Sequence, residues 1–478
     1  MVLRCGINRF VKSYDCTRIG RCGYNDKEKL IARLYASSSR LTPQEVTRIL
    51  RVNEFTKEFD VPGSVKSYES NQLASNNPIE DTRSEARCLL TNGLLFGIFD
   101  GHGGSACAQV LAKRLFHYIS ACILPPKILT EYISSFDMEE NVRLLERYND
   151  KLDFVSGVKS LYKQSFVALL RDLVEQKSSS DFQMEAALEN AFLRLDNDLS
   201  NEALNKLRSK DAARTLSVAM SGAVGVVAHI DGPHLHVAGV GDCQAVLGVH
   251  SEDEGWSAKL MTVQHNTDNR AEVERILSEH PPAERSTVIK MERLLGQLAP
   301  LRALGDFRYK WSKELMSEVV IPYLGEAAVP PNYHTPPYLT ARPDVIYHRL
   351  KSTDKFLILA SDGLWDLVSP LEAVHLVAEH MSGKMTFSPV SLPNPNMKLS
   401  EINDMLLQRK DSLRKRPLDG NAATHLLRNS LGGTDHGIDH NKLSQFLTLP
   451  SDVVRVFRDD ITITVVYMDS DFLQKNSA

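Results

Sequence analysis

Apolar segments of strand length that begin or end on an aspartate constrain this fold more than any other sequence feature. Three of them are LLFGIFDGHGG, LILASDGLWD and FRDDITITVV, which carry Asp100, Asp362 and Asp459. A single aspartate at such a place is usually a turn residue or a helix cap. Several in one chain predict instead that the strand ends meet at one edge of a sheet and bring carboxylates together.

Glu80, in the turn segment NNPIEDTRS, adds a fourth acid to this set. Four carboxylates in one place cannot all stay ionised without cations. Carboxylates, a backbone carbonyl and waters suit Mg²⁺ or Mn²⁺, and the absence of a His/Cys cluster disfavours zinc. In DGHGG, Gly101 has no side chain to keep its carbonyl from a metal, and His102 stands beside the site for proton transfer.

The segments around these acids alternate between β-rich runs and long helical stretches. Asn92 and Gly93 separate two strand candidates and predict a β-hairpin. Apolar residues after DGHGG keep helical spacing, as do those of EAALENAFLRLDNDL. Together these features predict an α+β domain with two stacked, mostly antiparallel β-sheets, a β-sandwich flanked by α-helices.

The two ends and one internal stretch differ in composition from this core. Residues 1–35 are basic, poor in acids and contain serines, which predicts a mitochondrial transit peptide; an accidentally basic tail is the alternative. Residues 36–70 are interpreted as an N-terminal extension, in which Thr42 caps a short helix. Residues 370–458 have the composition of exposed loops between helices and predict an insertion, and 470–478 a C-terminal tail.

Charge and composition exclude several functional classes. With 56 Lys and Arg against 60 Asp and Glu, the chain gives no sign of a surface for nucleic acid. No apolar run approaches the roughly 18 residues of a membrane-spanning helix, so we expect no membrane span. Seven cysteines without a CxxC pair favour free thiols in a reducing compartment over a disulfide framework or a zinc ribbon.

Seven motifs occur in an order and spacing that resemble a known family. They are PIED, GIFDGHGG, SGAVGVVAHI, HVAGVGDCQAVLG, LRALGDFRYK, LILASDGLWD and RDDITITVV. The series is similar to that of the metal-dependent serine/threonine protein phosphatases of type 2C, over residues 71–469. The resemblance implies a phosphatase domain over this range. It also implies hydrolysis of a phosphoserine by a water that bridges two Mg²⁺ or Mn²⁺ ions.

The resemblance further implies a ligand set for the two ions. Glu80, Asp100 and the carbonyl of Gly101 would hold one ion. Asp100 would bridge to the second ion, which Asp362 and Asp459 would also bind.

Four more residues receive roles from the same resemblance. Asp242, together with Asp362, would form a third, weaker metal site. His102 corresponds to the general acid that protonates the departing serine oxygen. Asp81 and Asp460 correspond to supports of the ligands.

Within the family, three segments resemble the phosphatases that act on the pyruvate dehydrogenase complex: SNQLASNNPIEDTRSEA, PPNYHTPPYLTARPDVIYHRL and NAATHLLRNSLG. This implies a phosphorylated pyruvate dehydrogenase subunit as substrate, reached by docking on the lipoyl-bearing acetyltransferase core in the mitochondrial matrix. It leaves open whether Ca²⁺ promotes docking and whether a regulatory subunit attends. The alternatives are a non-catalytic phosphatase-like scaffold, a phosphatase for another mitochondrial phosphoprotein, and a two-metal nuclease or small-molecule phosphoesterase.

Three departures from the family pattern concern the surroundings of the ligands. Asn76 stands where the family commonly has a phosphate-binding arginine, so another cation such as Arg83, or the metals alone, would serve there. Cys243 and Gln244 replace the last two residues of GDSR, and Gln264 replaces an aspartate before the following histidine. Every predicted ligand is intact, and the changes bear on ligand support and on the third ion.

Overall fold

The computed structural model describes residues 40–137, 142–150, 158–176, 182–207, 209, 211–383, 397–413, 417–434 and 437–476. The predicted transit peptide lies outside the described residues. The strands, in chain order, are β1 (Phe55–Glu58), β2 (Val65–Leu73), β3 (Thr82–Cys88), β4 (Leu94–His102), β5 (Leu145–Tyr148), β6 (Gly222–Asp231), β7 (His234–Val240), β8 (Gln244–Ser251), β9 (Gly255–Leu260), β10 (Ile289–Lys290), β11 (Arg293–Leu294), β12 (Leu304–Gly305), β13 (Asp344–Arg349), β14 (Asp354–Ala360), β15 (Gly433–Thr434), β16 (Gly437–Ile438) and β17 (Ile461–Met468).

Helices fill most of the chain between the strands. The α-helices are Pro43–Leu50, Ala106–Ile123, Pro126–Asp137, Lys159–Gln176, Met184–Asn205, Ala212–Met220, Arg270–Glu279, Arg285–Val288, Lys313–Leu315, Ile321–Leu324, Asp362–Trp365, Pro370–Ser382, Leu399–Leu413, Ala422–Gly432, His440–Leu447 and Ser470–Lys475. Within the described ranges, no helix combines the length and the apolar character needed to cross a membrane.

Two large antiparallel sheets form the centre of the molecule. The first has the strand order β1-β2-β17-β14-β8-β9, and the second the order β13-β7-β6-β4-β3-β5, with β12 paired to β6. The sheets pack face to face, and the rings of Tyr68 on β2 and Phe96 on β4 lie 5.2 Å apart between their centroids. The prediction of two stacked antiparallel sheets flanked by helices is therefore confirmed.

Each sheet covers its outer face with helices. Side chains of β14 alternate, so that Leu357 and Leu359 join the core between the sheets while Phe356 and Ile358 belong to a second core. Helices Pro370–Ser382 and Ala422–Gly432 close this second core over the first sheet. Helices Ala106–Ile123 and Met184–Asn205 pack on the second sheet. The result is a layered α/β/β/α arrangement.

The expected local signals are present at the start of the fold. Thr42 caps the helix Pro43–Leu50 in a capping box, where the Glu45 N–H donates to Thr42 Oγ1 at 3.3 Å and the Thr42 N–H donates to Glu45 Oε2 at 2.8 Å. The predicted hairpin is formed by β3 and β4, joined through residues 89–93.

Three boundaries expected from composition differ in the structure. A domain start at residue 71 falls inside β2, which pairs with both β1 and β17, so part of the expected extension is a sandwich strand. In the described part of residues 370–458, the helix Ala422–Gly432 is buried along nearly its whole length, so this helix is part of the core. The expected tail after residue 469 includes the helix Ser470–Lys475, whose Leu473 is buried. Average composition concealed these buried faces among polar neighbours.

Strand register brings several chain ends to one edge of the first sheet. Ala360, the last residue of β14, lies opposite Ile463 of β17 and Gln244 of β8. Leu73, the last residue of β2, lies opposite Ile461. The residues that follow Ala360 and Leu73, and those that precede Ile461 and Gln244, therefore gather at this edge.

Candidate metal centre

Asp100 and Gly101 lie near the end of β4, where the backbone passes close to the segment that carries Glu80. A Cβ atom added to Gly101 would stand 2.5 Å from the Glu80 carbonyl oxygen, nearer than real Cβ atoms approach. The glycine is required by this close approach of two backbones. It also sets the Glu80 segment directly against the end of β4.

Asp460 holds the segment of Glu80 in place from the start of β17. Its Oδ1 accepts the N–H groups of Ser75 at 2.5 Å and Asn76 at 2.8 Å. Its Oδ2 accepts the Glu80 N–H at 2.8 Å and the Asn76 side-chain amide at 3.0 Å. Four donors on one buried carboxylate position the loop without any contribution from a metal.

Asp81 is fixed from a different strand end. The hydroxyl of Ser361, at the end of β14, donates to Asp81 Oδ2 at 2.7 Å and accepts the Thr462 N–H at 3.0 Å. A Cβ atom on the nearby Gly363 would lie 2.0 Å from the Asp460 carbonyl oxygen. The Asp362 turn thus packs directly on the start of β17.

The acids at these strand ends interact electrostatically and shift one another's pKa. Burial raises the pKa of Asp100 well above its ordinary value, and the charges of Asp81, Asp362 and Asp242 raise it further. For Asp362, burial again raises the pKa first, followed by the charges of Asp242 and Asp459. Burial and the adjacent Asp460 raise the pKa of Asp81 to about 7. These carboxylates cannot all be ionised together unless positive charge is supplied.

Two more carboxylates belong to this cluster. Burial raises the pKa of Glu80, which the charge of Arg455 lowers in part. Burial and the charge of Asp459 raise the pKa of Asp366, which follows Asp362 by one helical turn. Asp366 ends the motif LILASDGLWD but was not among the predicted site residues.

The cluster fits divalent cations. Buried Glu80 Oε2 and Asp362 Oδ1 have no hydrogen-bond partner, and oxygen is the donor that Mg²⁺ and Mn²⁺ prefer. Among the described residues, no group of three or more His, Cys, Asp or Glu side chains is positioned to hold a metal ion. Mg²⁺ commonly takes one or two protein carboxylates and keeps several waters.

His102 is held by an acid that sequence reasoning missed. Its Nε2 lies 2.5 Å from Oδ2 of the buried Asp306. Burial alone would lower the pKa of His102, but the charge and hydrogen bond of Asp306 outweigh it and raise that pKa. The motif LRALGDFRYK contains Asp306, yet nothing in the sequence indicates that it meets the end of β4.

Backbone geometry explains how Asp306 reaches His102. Asp306 adopts a left-handed conformation with φ of 51°, and its N–H donates to the Ser221 carbonyl at 3.0 Å. A Cβ atom on Gly222 would lie 2.1 Å from His102 Nε2 and 2.2 Å from Asp306 Oδ2. The glycine therefore leaves the space in which this His–Asp pair sits.

The turn that carries Asp242 is anchored by a buried histidine. His265 Nδ1 accepts the Gly241 N–H at 3.1 Å, so its Nε2 carries the proton and donates to Asp344 Oδ2 at 3.0 Å. Arg302 then donates to Asp344 Oδ1 at 2.9 Å and, through Nε, to the buried Glu272 at 2.8 Å. This chain of bonds orders the Asp242 turn from the protein interior.

The suggested phosphate-binding role of Arg83 is wrong in this structure. Its guanidinium is buried and donates to Ser70 Oγ at 2.6 Å and to Glu85 Oε1 at 2.8 Å, neither of which belongs to the carboxylate cluster. Asn76 likewise directs its amide inward, to Asp459 Oδ1 at 3.3 Å and to Asp460. Nothing in the sequence indicates that the Arg83 side chain lies between the two sheets.

The structure thus brings all the predicted site residues to one edge of the sandwich, where β2, β4, β8, β14 and β17 begin or end. They are Glu80, Asp100, Gly101, His102, Asp242, Asp362 and Asp459, joined by the supports Asp81 and Asp460. Carboxylates gathered beside an acid-supported histidine are the groups that metal-dependent hydrolysis would use.

Comparison with known proteins defines the class. Residues 158–401 match the family described as Protein phosphatase 2C, and the match includes Asp242 and Asp362. The chain belongs to the protein phosphatase 2C family, a family of metal-dependent phosphatases.

Particular relatives are similar over nearly the whole chain. The human protein named pyruvate dehydrogenase (acetyl-transferring) phosphatase 1, mitochondrial, is 42% identical over 459 residues, which cover 92% of this chain and 86% of that protein. Human phosphatase 2 of the same name is 42% identical over 448 residues, covering 90% of this chain and 84% of that protein. The solved structure of serine-threonine phosphatase 2C from Toxoplasma gondii is 16% identical with a TM-score of 0.42, over 87% of this chain and 99% of that one.

Proposed function

We propose that this protein phosphatase removes phosphate from phosphoserine on the pyruvate dehydrogenase subunit of the pyruvate dehydrogenase complex, in the mitochondrial matrix. The carboxylate cluster carries the chemical part of the proposal, because two of its buried oxygen atoms have no hydrogen-bond partner. The substrate part is supported by 42% identity, over 92% of the chain, to a mitochondrial relative with that name.

Two divalent ions, Mg²⁺ or Mn²⁺, would be held by residues from both sheets. Glu80, Asp100 and the Gly101 carbonyl are the proposed ligands of one ion, and Asp100, Asp362 and Asp459 those of the other. Asp242, with Asp362, is the proposed holder of a weaker third ion. When bound, such ions lower the pKa of a water molecule and offset the negative charge of the phosphoryl oxygens.

The chain's own residues would position the reactants and move the proton. Protonated His102, whose pKa is raised by its 2.5 Å contact to Asp306, would donate to the serine oxygen as the bond to phosphorus breaks. Asp460 holds Glu80 through the backbone, so the metal-binding segment is ordered before substrate arrives. General-acid catalysis of this kind contributes about 10² to 10⁴ in rate.

Docking on the lipoyl-bearing acetyltransferase core of the complex is part of the proposal, with Ca²⁺ and a regulatory subunit as candidate contributors. Residues 1–35 are proposed as the cleaved leader, since the relatives' names include "mitochondrial". Import of a fusion of these residues with a fluorescent protein into isolated mitochondria tests the location. A fusion that stays outside would contradict it.

Rates of phosphate release test the substrate and the chemistry together. Intact phosphorylated pyruvate dehydrogenase complex and a generic phosphoprotein are compared in Mg²⁺, with and without Ca²⁺. We expect faster release from the complex, and little release by Asp100→Asn, while Asp253→Asn in an exposed turn serves as the matched control. Equal rates on both substrates would refute the assigned target, and a full rate for Asp100→Asn would refute the assigned chemistry.

A further inference from the structure

Arg455 reaches the carboxylate centre from the protein surface. It lies in the single 3₁₀-helical turn Val454–Val456. Asp459 stands between this turn and the start of β17. Its Nη2 stands 3.4 Å from Oε2 of Glu80. Because the Arg455 side chain is 53% exposed and that of Glu80 is 13% exposed, the guanidinium lies at the open rim of the centre.

The contact with Glu80 leaves much of the hydrogen-bonding capacity of Arg455 unused. A separation of 3.4 Å exceeds the roughly 2.7–3.2 Å of an ordinary N–H···O hydrogen bond, and Glu80 Oε2 has no such bond. Arg458, one turn further on, differs in this respect. It is buried, and it donates to Ser75 Oγ at 2.5 Å and to the Ala74 carbonyl at 2.9 Å.

Charge at the rim decides what such an arginine can bind. The centre is lined by carboxylates, so a phosphoryl dianion that approaches it meets negative charge on the protein side. A planar guanidinium offers paired N–H donors whose spacing matches two phosphoryl oxygens, and it stays charged at any working pH. The outward-facing edge of Arg455 is placed to meet a phosphate that enters from solvent.

We propose that Arg455 is a substrate-binding residue that grips the phosphoryl group at the mouth of the carboxylate centre. This inference rests on the proposed phosphatase function and names a residue of that same site. It assigns phosphate recognition to the turn before β17, whereas Arg83 and Arg458 are committed to buried partners.

Phosphate affinity measured apart from turnover tests the assignment. Binding of inorganic phosphate to the Mn²⁺-loaded full chain is followed by calorimetry for wild type, Arg455→Ala and Arg455→Lys, alongside kcat and KM on a phosphoserine peptide. Arg270→Ala is the matched control, because Arg270 is 90% exposed and pairs only with Glu274 along its own helix in the described structure.

We expect Arg455→Ala to weaken phosphate binding and to raise KM by about tenfold, the effect of losing a charge-assisted hydrogen bond at a half-exposed site. Arg455→Lys should recover part of the loss. Arg270→Ala should leave phosphate binding and KM unchanged. Mn²⁺ affinity should not fall, since Arg455 competes with cations for Glu80. Unchanged phosphate affinity and KM in Arg455→Ala would overturn the proposal. Absence of turnover in wild type would overturn the phosphatase function instead, and phosphate binding would still decide the role of Arg455.

Discussion

Asp460 offers the sharpest test of how the centre is built, because it holds the Glu80 segment without being a predicted ligand. Its oxygens accept hydrogen bonds from Ser75 N at 2.5 Å, Asn76 N at 2.8 Å, Asn76 Nδ2 at 3.0 Å and Glu80 N at 2.8 Å. In Asp460→Asn one oxygen becomes an NH₂ group that faces donors, so two of these four bonds are lost.

The size of the effect follows from the number of bonds. A hydrogen bond to a charged group contributes about 1.5–3 kcal/mol, so Asp460→Asn should lower the free energy of unfolding by about 3–6 kcal/mol. With an unfolding entropy of about 2.1 cal/mol/K per residue, a chain of 478 residues has about 1 kcal/mol/K. The melting temperature should therefore fall by about 3–6 °C, and Mn²⁺ affinity by about 10- to 100-fold.

Asp459→Asn is the matched comparison at the next position. Asp459 is a proposed ligand whose charge raises the pKa of Asp362 and of Asp366, so its removal relieves repulsion between carboxylates. This variant should bind Mn²⁺ poorly yet keep or gain stability in EDTA. Scanning fluorimetry in EDTA and calorimetric Mn²⁺ titration separate the two variants. A melting temperature for Asp460→Asn within about 1 °C of wild type would refute the reasoning.

Three other predictions address separate parts of the site. Asp100→Asn should reduce turnover by more than about a hundredfold at saturating Mg²⁺, and a phosphate-release assay showing wild-type activity would disprove its bridging role. Asp306 raises the pKa of His102, so Asp306→Asn should move the alkaline limb of the kcat–pH profile to lower pH; an unmoved limb would contradict the pairing. Burial alone would raise the pKa of Glu272. Hydrogen bonds from Arg302 and then from Arg275 outweigh burial and lower this pKa to about 2. That pKa lies below the unfolded value of about 4.3, so the stabilisation is present above this pH and is lost toward pH 2. Arg302→Met should therefore lose stability in urea at pH 7 and lose less at pH 3, and an equal loss at both pH values would argue against the ion pair.

The stacked sheets and the acids at the strand ends could be predicted from the sequence because both depend on local patterns. Alternating apolar residues indicate strands, and an acid at the end of an apolar run marks a strand end wherever the strand lies in space. Asp100, Asp362 and Asp459 were identifiable in this way, Glu80 stood in a turn segment, and the motif order indicated the family.

Other features arise only when distant segments meet. Asp306 is 204 positions from His102, and its role depends on a left-handed turn and on the space beside Gly222. Arg455 lies in a stretch whose composition indicates exposed loops, yet it stands at the mouth of the centre. Arg83 has the right chemistry for phosphate but is turned into a buried pair with Glu85.

By itself, the sequence determined which residue types this protein has for metal and proton chemistry, and the strand ends that carry them. Which histidine–acid pair forms, which arginine faces the substrate and which segments join the core were decided only by the tertiary structure. The physical reason is that a pattern along the chain fixes the direction of a side chain relative to its own strand or helix. Its partners, its burial and its charge environment depend on the packing of segments hundreds of residues apart.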